Sequence, residues 1–127
     1  MFKKKNKERP LEINQNEIST IIGEGYVFTG ELKGSSVIRI EGKIIGNVIV
    51  EGGIVLGEKG IIEGDIITKS AIIYGTVSGN VKTAQLEIKK SGYVSGDIAT
   101  DTLEIELGAQ YNGKLHMPGK QLLAEAS

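Results

Sequence analysis

Apolar and polar positions alternate along most of this chain in short runs, and the runs recur. Leu103-Glu104-Ile105-Glu106-Leu107 shows the period plainly: every second residue is aliphatic, as in a strand with one buried face. The stretch from Gly42 to Gly75, GKIIGNVIVEGGIVLGEKGIIEGDIITKSAIIYG, repeats the theme, with isoleucine and valine interrupted by glycine every few residues. One short unit underlies it. Gly30-Glu31-Leu32, Gly46-Asn47-Val48, Gly64-Asp65-Ile66, Gly79-Asn80-Val81, Gly96-Asp97-Ile98 and Gly113-Lys114-Leu115 recur at intervals of 16, 18, 15, 17 and 17 residues.

Aligned on that glycine, the units form apolar columns. Two residues before it stand Phe28, Ile44, Ile62, Val77, Val94 and Tyr111; two after it stand Leu32, Val48, Ile66, Val81, Ile98 and Leu115. A third column, shifted by one residue after the second unit, holds Ile38 and Ile40, Ile54 and Leu56, Ala71 and Ile73, Leu86 and Ile88, Leu103 and Ile105. Three short strands per repeat, separated by glycine-containing corners, describe one coil of a parallel β-solenoid. The chain is therefore expected to be all-β, a single-domain three-sided parallel β-helix of about six coils, each of roughly 17 residues. Helices would need a period of 3.6 and tolerate this glycine content poorly, and an antiparallel sandwich would not hold one register through six units. At roughly 4.8 Å between coils the rod is about 25 to 30 Å long.

Composition agrees. Aromatic residues make up only 5% of the 127, against 18 glycines, so the core has to be built from small branched aliphatics. Proline is missing from Leu11 through Met117, as strands that each need their N–H for a ladder require. Pro10 and Pro118 bracket a domain placed at 16–117, between a basic tail (1–15) and a short tail (118–127), both expected to be disordered. The absence of cysteine removes disulfides and thiolate chemistry and fits a reducing, cytoplasmic compartment.

These residues resemble a known family. ISTIIGEGYVFTGEL (Ile18 to Leu32), IRIEGKIIGNV (Ile38 to Val48), the later YVSGDI and the closing LEIELGAQYNGKL are together similar to the bactofilins, bacterial polymer-forming cytoskeletal proteins. The resemblance implies a right-handed β-helix, filaments formed without nucleotide and with no cofactor, non-polar assembly, and membrane association through a short N-terminal peptide.

A solenoid leaves a strand edge and lumen residues exposed at each end, and most are capped. This chain has little to cap with: ERPLEINQNEIST before the first full coil is too polar and short for a substantial amphipathic helix, and after the last only Leu122 and Leu123 could tuck under. The column that is aliphatic in its four middle members turns aromatic at its ends, Phe28 and Tyr111. Stacking of copies end to end is the expected consequence, with Tyr26, Phe28 and Leu32 at one end and Leu103, Ile105, Tyr111, Leu115 and Met117 at the other. The plainer alternative is that the larger rings simply fill wider terminal coils.

Charge is split along the chain. Residues 1–9, MFKKKNKER, carry a net +4, whereas residues 10–127 carry −5. Met1 and Phe2 beside Lys3, Lys4, Lys5 and Lys7 read as an apolar tip on a polybasic segment suited to anionic lipids, each lysine being worth roughly 1 kcal/mol at a charged leaflet. A filament would multiply that weak affinity. The expected location is peripheral, on the inner face of the cytoplasmic membrane, and the alternative is a solubilising tail. Nucleic acid is not an expected partner, since the acidic body repels phosphate.

Enzymatic chemistry finds little to stand on. Hexapeptide-repeat acyltransferases share a similar period and use a histidine base, and the sole histidine here, His116, sits at the end of the last coil. Glu41, Glu51, Glu63, Asp65 and Asp97 alternate with aliphatics, as outer-face residues do. Gly57-Glu58-Lys59-Gly60 lacks the residues of a phosphate loop. The sequence thus reads as a non-enzymatic scaffold filament that positions client proteins it does not name, with an acyltransferase or a monomeric binding module as alternatives.

Overall fold

The computed structural model describes residues 17–118, which form fifteen strands and no α-helix. They wind through six coils, each crossing three faces in the same order. The first coil holds β1 (Ile18–Ile22), β2 (Val27–Thr29) and β3 (Leu32–Gly34); the second β4 (Val37–Ile40), β5 (Lys43–Ile45) and β6 (Val48–Val50). The third holds β7 (Gly53–Leu56), β8 (Ile61–Glu63) and the first half of β9 (Ile66–Ile73). From here one long strand serves two faces. The second half of β9 opens the fourth coil, which continues through β10 (Thr76–Ser78) into β11 (Val81–Ile88). The fifth coil runs through β12 (Tyr93–Ser95) into β13 (Ile98–Ile105), and the sixth ends with β14 (Gln110–Asn112) and β15 (Leu115–His116).

All pairings between coils are parallel. On the second face Phe28, Ile44, Ile62, Val77, Val94 and Tyr111 stand in register, as the sequence columns predict. On the first face Ile38, Ile54, Ala71, Leu86 and Leu103 do the same. The alternation in the sequence starts this face at Ile38; the structure adds a rung beneath it, β1, whose Ile22 pairs with Ile40. Burial follows the columns: Ile40, Ile44, Ile54, Leu56, Ile62, Ile66, Ile73, Leu86 and Ile88 are closed to solvent.

The register explains the uneven repeat. Between the third and first faces the corner spans four residues in the early coils, Gly34 to Ile38 and Val50 to Ile54, but three later, as from Thr68 to Ala71 and Thr83 to Leu86. Losing that residue lets β9, β11 and β13 run through the corner as single strands. Between the first and second faces, coils 2 and 4 turn tightly, whereas coils 1, 3, 5 and 6 carry two extra residues in a projecting turn. These two changes together generate the spacings of 16, 18, 15, 17 and 17.

The third corner is invariant. Gly46, Gly64, Gly79, Gly96 and Gly113 all have φ between 143° and 154°, and a Cβ on any of them would collide with the carbonyl of the glycine one coil earlier. Beside them runs a hydrogen-bonded ladder. The backbone N–H of Asp65 donates to Asn47 Oδ1 (3.0 Å), Asn80 N–H to Asp65 Oδ1 (3.0 Å), Asp97 N–H to Asn80 Oδ1 (3.1 Å) and Lys114 N–H to Asp97 Oδ1 (3.2 Å). Short side chains with an acceptor oxygen satisfy the donor that the turn leaves unpaired. A second polar stack lies inside: Thr68, Thr83 and Thr100 are buried, with Thr83 donating to Thr100 (3.0 Å) and Thr100 to the Thr102 carbonyl (2.9 Å).

Candidate polymerisation interface

Each end of the solenoid presents strands with one edge unpaired among the described residues. At the first end these are β1, β2 and β3; at the second they are the latter half of β13, β14 and β15. Side chains that close the lumen here have neighbours on one side only. Phe28, Leu32 and Ile22 at the first end, and Leu103, Ala109 and Tyr111 at the second, pack against the core yet stay partly open.

Tyr26 has a more specific geometry. It occupies the turn position held by Gly60 in coil 3 and Gly92 in coil 5, where a Cβ would run into the carbonyls of Ile40 and Ile73, one coil earlier. That position therefore faces the preceding coil. In coil 1 there is none among the described residues, and the Tyr26 ring, 72% exposed, projects off the end. Together with Ile21, Ile22, Gly23, Val27 and Phe28 it lines a groove of about 280 Å³.

Sequence reasoning placed Tyr26, Phe28 and Leu32 at one end and Leu103, Ile105, Tyr111, Leu115 and Met117 at the other, and the structure gathers them into those two groups. It also brings in residues that reasoning missed. Ile21 and Val27 are exposed outward positions of coil 1, where coil 2 carries Arg39 and Lys43 in register. Leu107, 93% exposed, stands at the turn tip where Glu24, Glu58 and Lys90 stand in other coils. At Leu107 the signal is an aliphatic in a column of charges; at Ile21 and Val27 it is an aliphatic exposed where the next coil carries a charge.

The two ends differ in finish. Ile105 and Leu115 are exposed with Leu107, while the Tyr111 hydroxyl turns back to donate to the Lys114 carbonyl. Burial pushes the Tyr111 phenol above its ordinary value, so it remains a donor at neutral pH. Met117 is half-buried, one register step beyond the Ala99–His116 pair and therefore next to Thr100. His116, the one histidine considered for catalysis, lies exposed on β15 at the rim of a groove on the third face. Met1, Phe2, Lys3, Lys4, Lys5 and Lys7 lie outside the described residues.

A parallel β-solenoid that, among the described residues, carries no cap and presents an apolar surface at each end is the architecture of a stacking structural protein. The chain belongs to the bactofilin family, described as polymer-forming cytoskeletal, whose profile matches residues 20–116. The curated bactofilin BacP of Myxococcus xanthus is 26% identical over 110 residues, 86% of this chain but only 46% of that protein, so the chain spans about half the length of this relative. Among solved structures, a cryo-EM reconstruction of Thermus thermophilus bactofilin double helical filaments is similar at a TM-score of 0.71 and 26% identity. That alignment covers 76% of this chain and 99% of the other. The crystal structure of a mutant of the Thermus thermophilus bactofilin is similar at 0.66 and 26%, over 68% and 97% of the two chains.

Proposed function

We propose that this chain polymerises through its two solenoid ends, without nucleotide, into non-polar filaments that lie on the inner face of the bacterial cytoplasmic membrane and position client proteins there. The observation that carries the reading is Tyr26: a large ring at a position that is glycine in coils 2 to 5 and alanine in coil 6, aimed off the open end. Burial of exposed apolar side chains, each worth roughly 1.5 to 3 kcal/mol, supplies the driving force. It offsets an association cost of about 4 to 15 kcal/mol only when several residues are covered at once. Assembly driven in this way requires no phosphate chemistry, and no enzymatic step enters the reading. The membrane part rests on Met1, Phe2 and the four lysines that follow. Double winding, seen in the Thermus thermophilus neighbour, is carried over as part of the same proposal.

Blocking one end at a time tests it. In a non-polar filament, Tyr26→Arg and Ile105→Arg each leave the opposite end intact, so each yields a discrete dimer by light scattering while the parent forms filaments by electron microscopy. Monomers from either variant would mean head-to-tail stacking, and unchanged filaments from both would remove the ends from the interface. Deleting residues 2–7 should abolish pelleting with anionic vesicles without abolishing filaments.

A further inference from the structure

One apolar patch is centred on a middle coil rather than on an end. On the third face, the outward column beside the glycine corner reads Lys33, Ile49, Ile67, Lys82, Ala99 and His116, and Ile67 is 46% exposed in the third coil. Ile49 stands next to it in register. The patch opens into a groove of about 450 Å³ running over coils 3 to 6, its floor and rim shared by Ile67, Ala99 and the corner ladder. Its charges come as two acids, Asp65 and Asp97, and two lysines, Lys82 and Lys114. Among the described residues none of these four forms an ion pair within the chain.

From these we infer that the Ile67 groove is the lateral surface by which one filament pairs with a second filament of this same chain. The inference rests on the filament reading and assigns that reading's double winding to particular residues. An equal mixture of signs beside an exposed aliphatic disfavours a membrane or a uniformly charged partner and suits a copy of the same surface. Along the corner column, Asp65 lies in coil 3 and Lys114 in coil 6, so antiparallel apposition sets Asp65 of one copy opposite Lys114 of the other. Non-polar filaments make that apposition available in either direction. A single patch is far smaller than the roughly 1,200 Å² of a stable complex. A filament repeats it at every subunit, so pairing accumulates with length while free subunits stay apart laterally.

Electron microscopy of full-length Ile67→Glu beside the parent tests this. Ile67 points to solvent, so the variant keeps its fold and its ends, and its filaments are expected to form at parental length but singly. The paired fraction should fall at least about tenfold, since two buried carboxylates replace two buried aliphatics. Ile67→Leu should keep pairing, and high salt should loosen the parent's pairs by screening the Asp65–Lys114 contact. Pairs persisting in Ile67→Glu, or parental filaments that are single throughout, overturn the lateral assignment and leave end-to-end assembly standing. A parent that forms no filaments overturns both.

Discussion

Coils 2 to 5 and the two terminal coils are made from the same repeat and do different work. In the middle, the second-face column Ile44, Ile62, Val77 and Val94 is closed to solvent, each member pressed between apolar neighbours above and below. At the ends the same column carries Phe28 and Tyr111, larger residues that remain partly open. The glycine corner shows the same contrast. A Cβ at Gly46 through Gly113 meets backbone, whereas at Gly30 the nearest atom is a Phe28 ring carbon at 3.9 Å. What distinguishes the regions is not their local code but whether a further coil lies against them. The middle is finished on both sides by neighbouring coils, and each end, among the described residues, on one side only.

The largest test of this contrast lies in the corner. Gly79→Ala combines φ of 152° with a clash against the Gly64 carbonyl, and should cost about 3 to 5 kcal/mol or prevent folding. Gly30→Ala has φ of 133° but meets only an ordinary contact with the Phe28 ring, leaving the conformational penalty of about 1 to 2 kcal/mol. Urea unfolding in the Tyr26→Arg, Ile105→Arg double variant, blocked at both ends and monomeric, measures both. Equal losses would show that conformation alone, and not the coil beneath, dictates glycine there. Once filaments form, Gly30→Ala should also weaken first-end junctions if the incoming copy packs as closely as a coil does.

Leu86 and Leu103 offer a smaller contrast, since they are neighbours in one column. Leu86 is fully buried, so Leu86→Ala should cost about 2 to 5 kcal/mol. Leu103 is covered from one side, and Leu103→Ala should cost only about 1 to 2 kcal/mol in the same blocked background. In filaments the two penalties should converge, because the second-end junction would complete Leu103's surroundings. Thermal unfolding of assembled and blocked samples separates the cases. A penalty at Leu103 that stays small in filaments would mean that the junction leaves this side chain uncovered.

Much of this architecture was legible in the chain because a solenoid makes its periodicity explicit. The glycine and the two apolar columns around it follow from local chemistry that repeats six times, so six coils, three faces and the inward residues could be read without a structure. Three features could not. The inward threonines Thr68, Thr83 and Thr100 look like outward polar residues until the register stacks them and their hydroxyls find partners. The rung at Ile18–Ile22 precedes the first recognisable glycine unit, and only pairing with β4 reveals it. Ile21, Val27 and Leu107 break no local rule either. They become conspicuous only when compared, position by position, with Arg39, Lys43 and the charged turn tips.

The smallest expected effect shows that crowding in the middle reaches even the outer surface. Glu87 points outward in the fifth coil, yet it is held beside Glu104 in register, and Lys89 pairs with it at 3.4 Å. Burial, with the Glu104 carboxyl as a second cause, raises its pKa above the ordinary 4.5, and Lys89 only partly opposes this. A raised pKa means that the folded state holds the proton more tightly than the unfolded chain. The associated stability is therefore present in acid and lost as pH rises through the folded-state value. Glu87→Gln removes the desolvated charge, so it should stabilise the blocked monomer by about 0.5 kcal/mol at pH 7. The gain should vanish near pH 4, where the parent carboxyl is itself protonated. Melting curves at the two pH values decide the matter: a gain that is equal at both would trace to packing rather than charge. A loss at pH 7 would show that the Lys89 pairing outweighs the burial of Glu87.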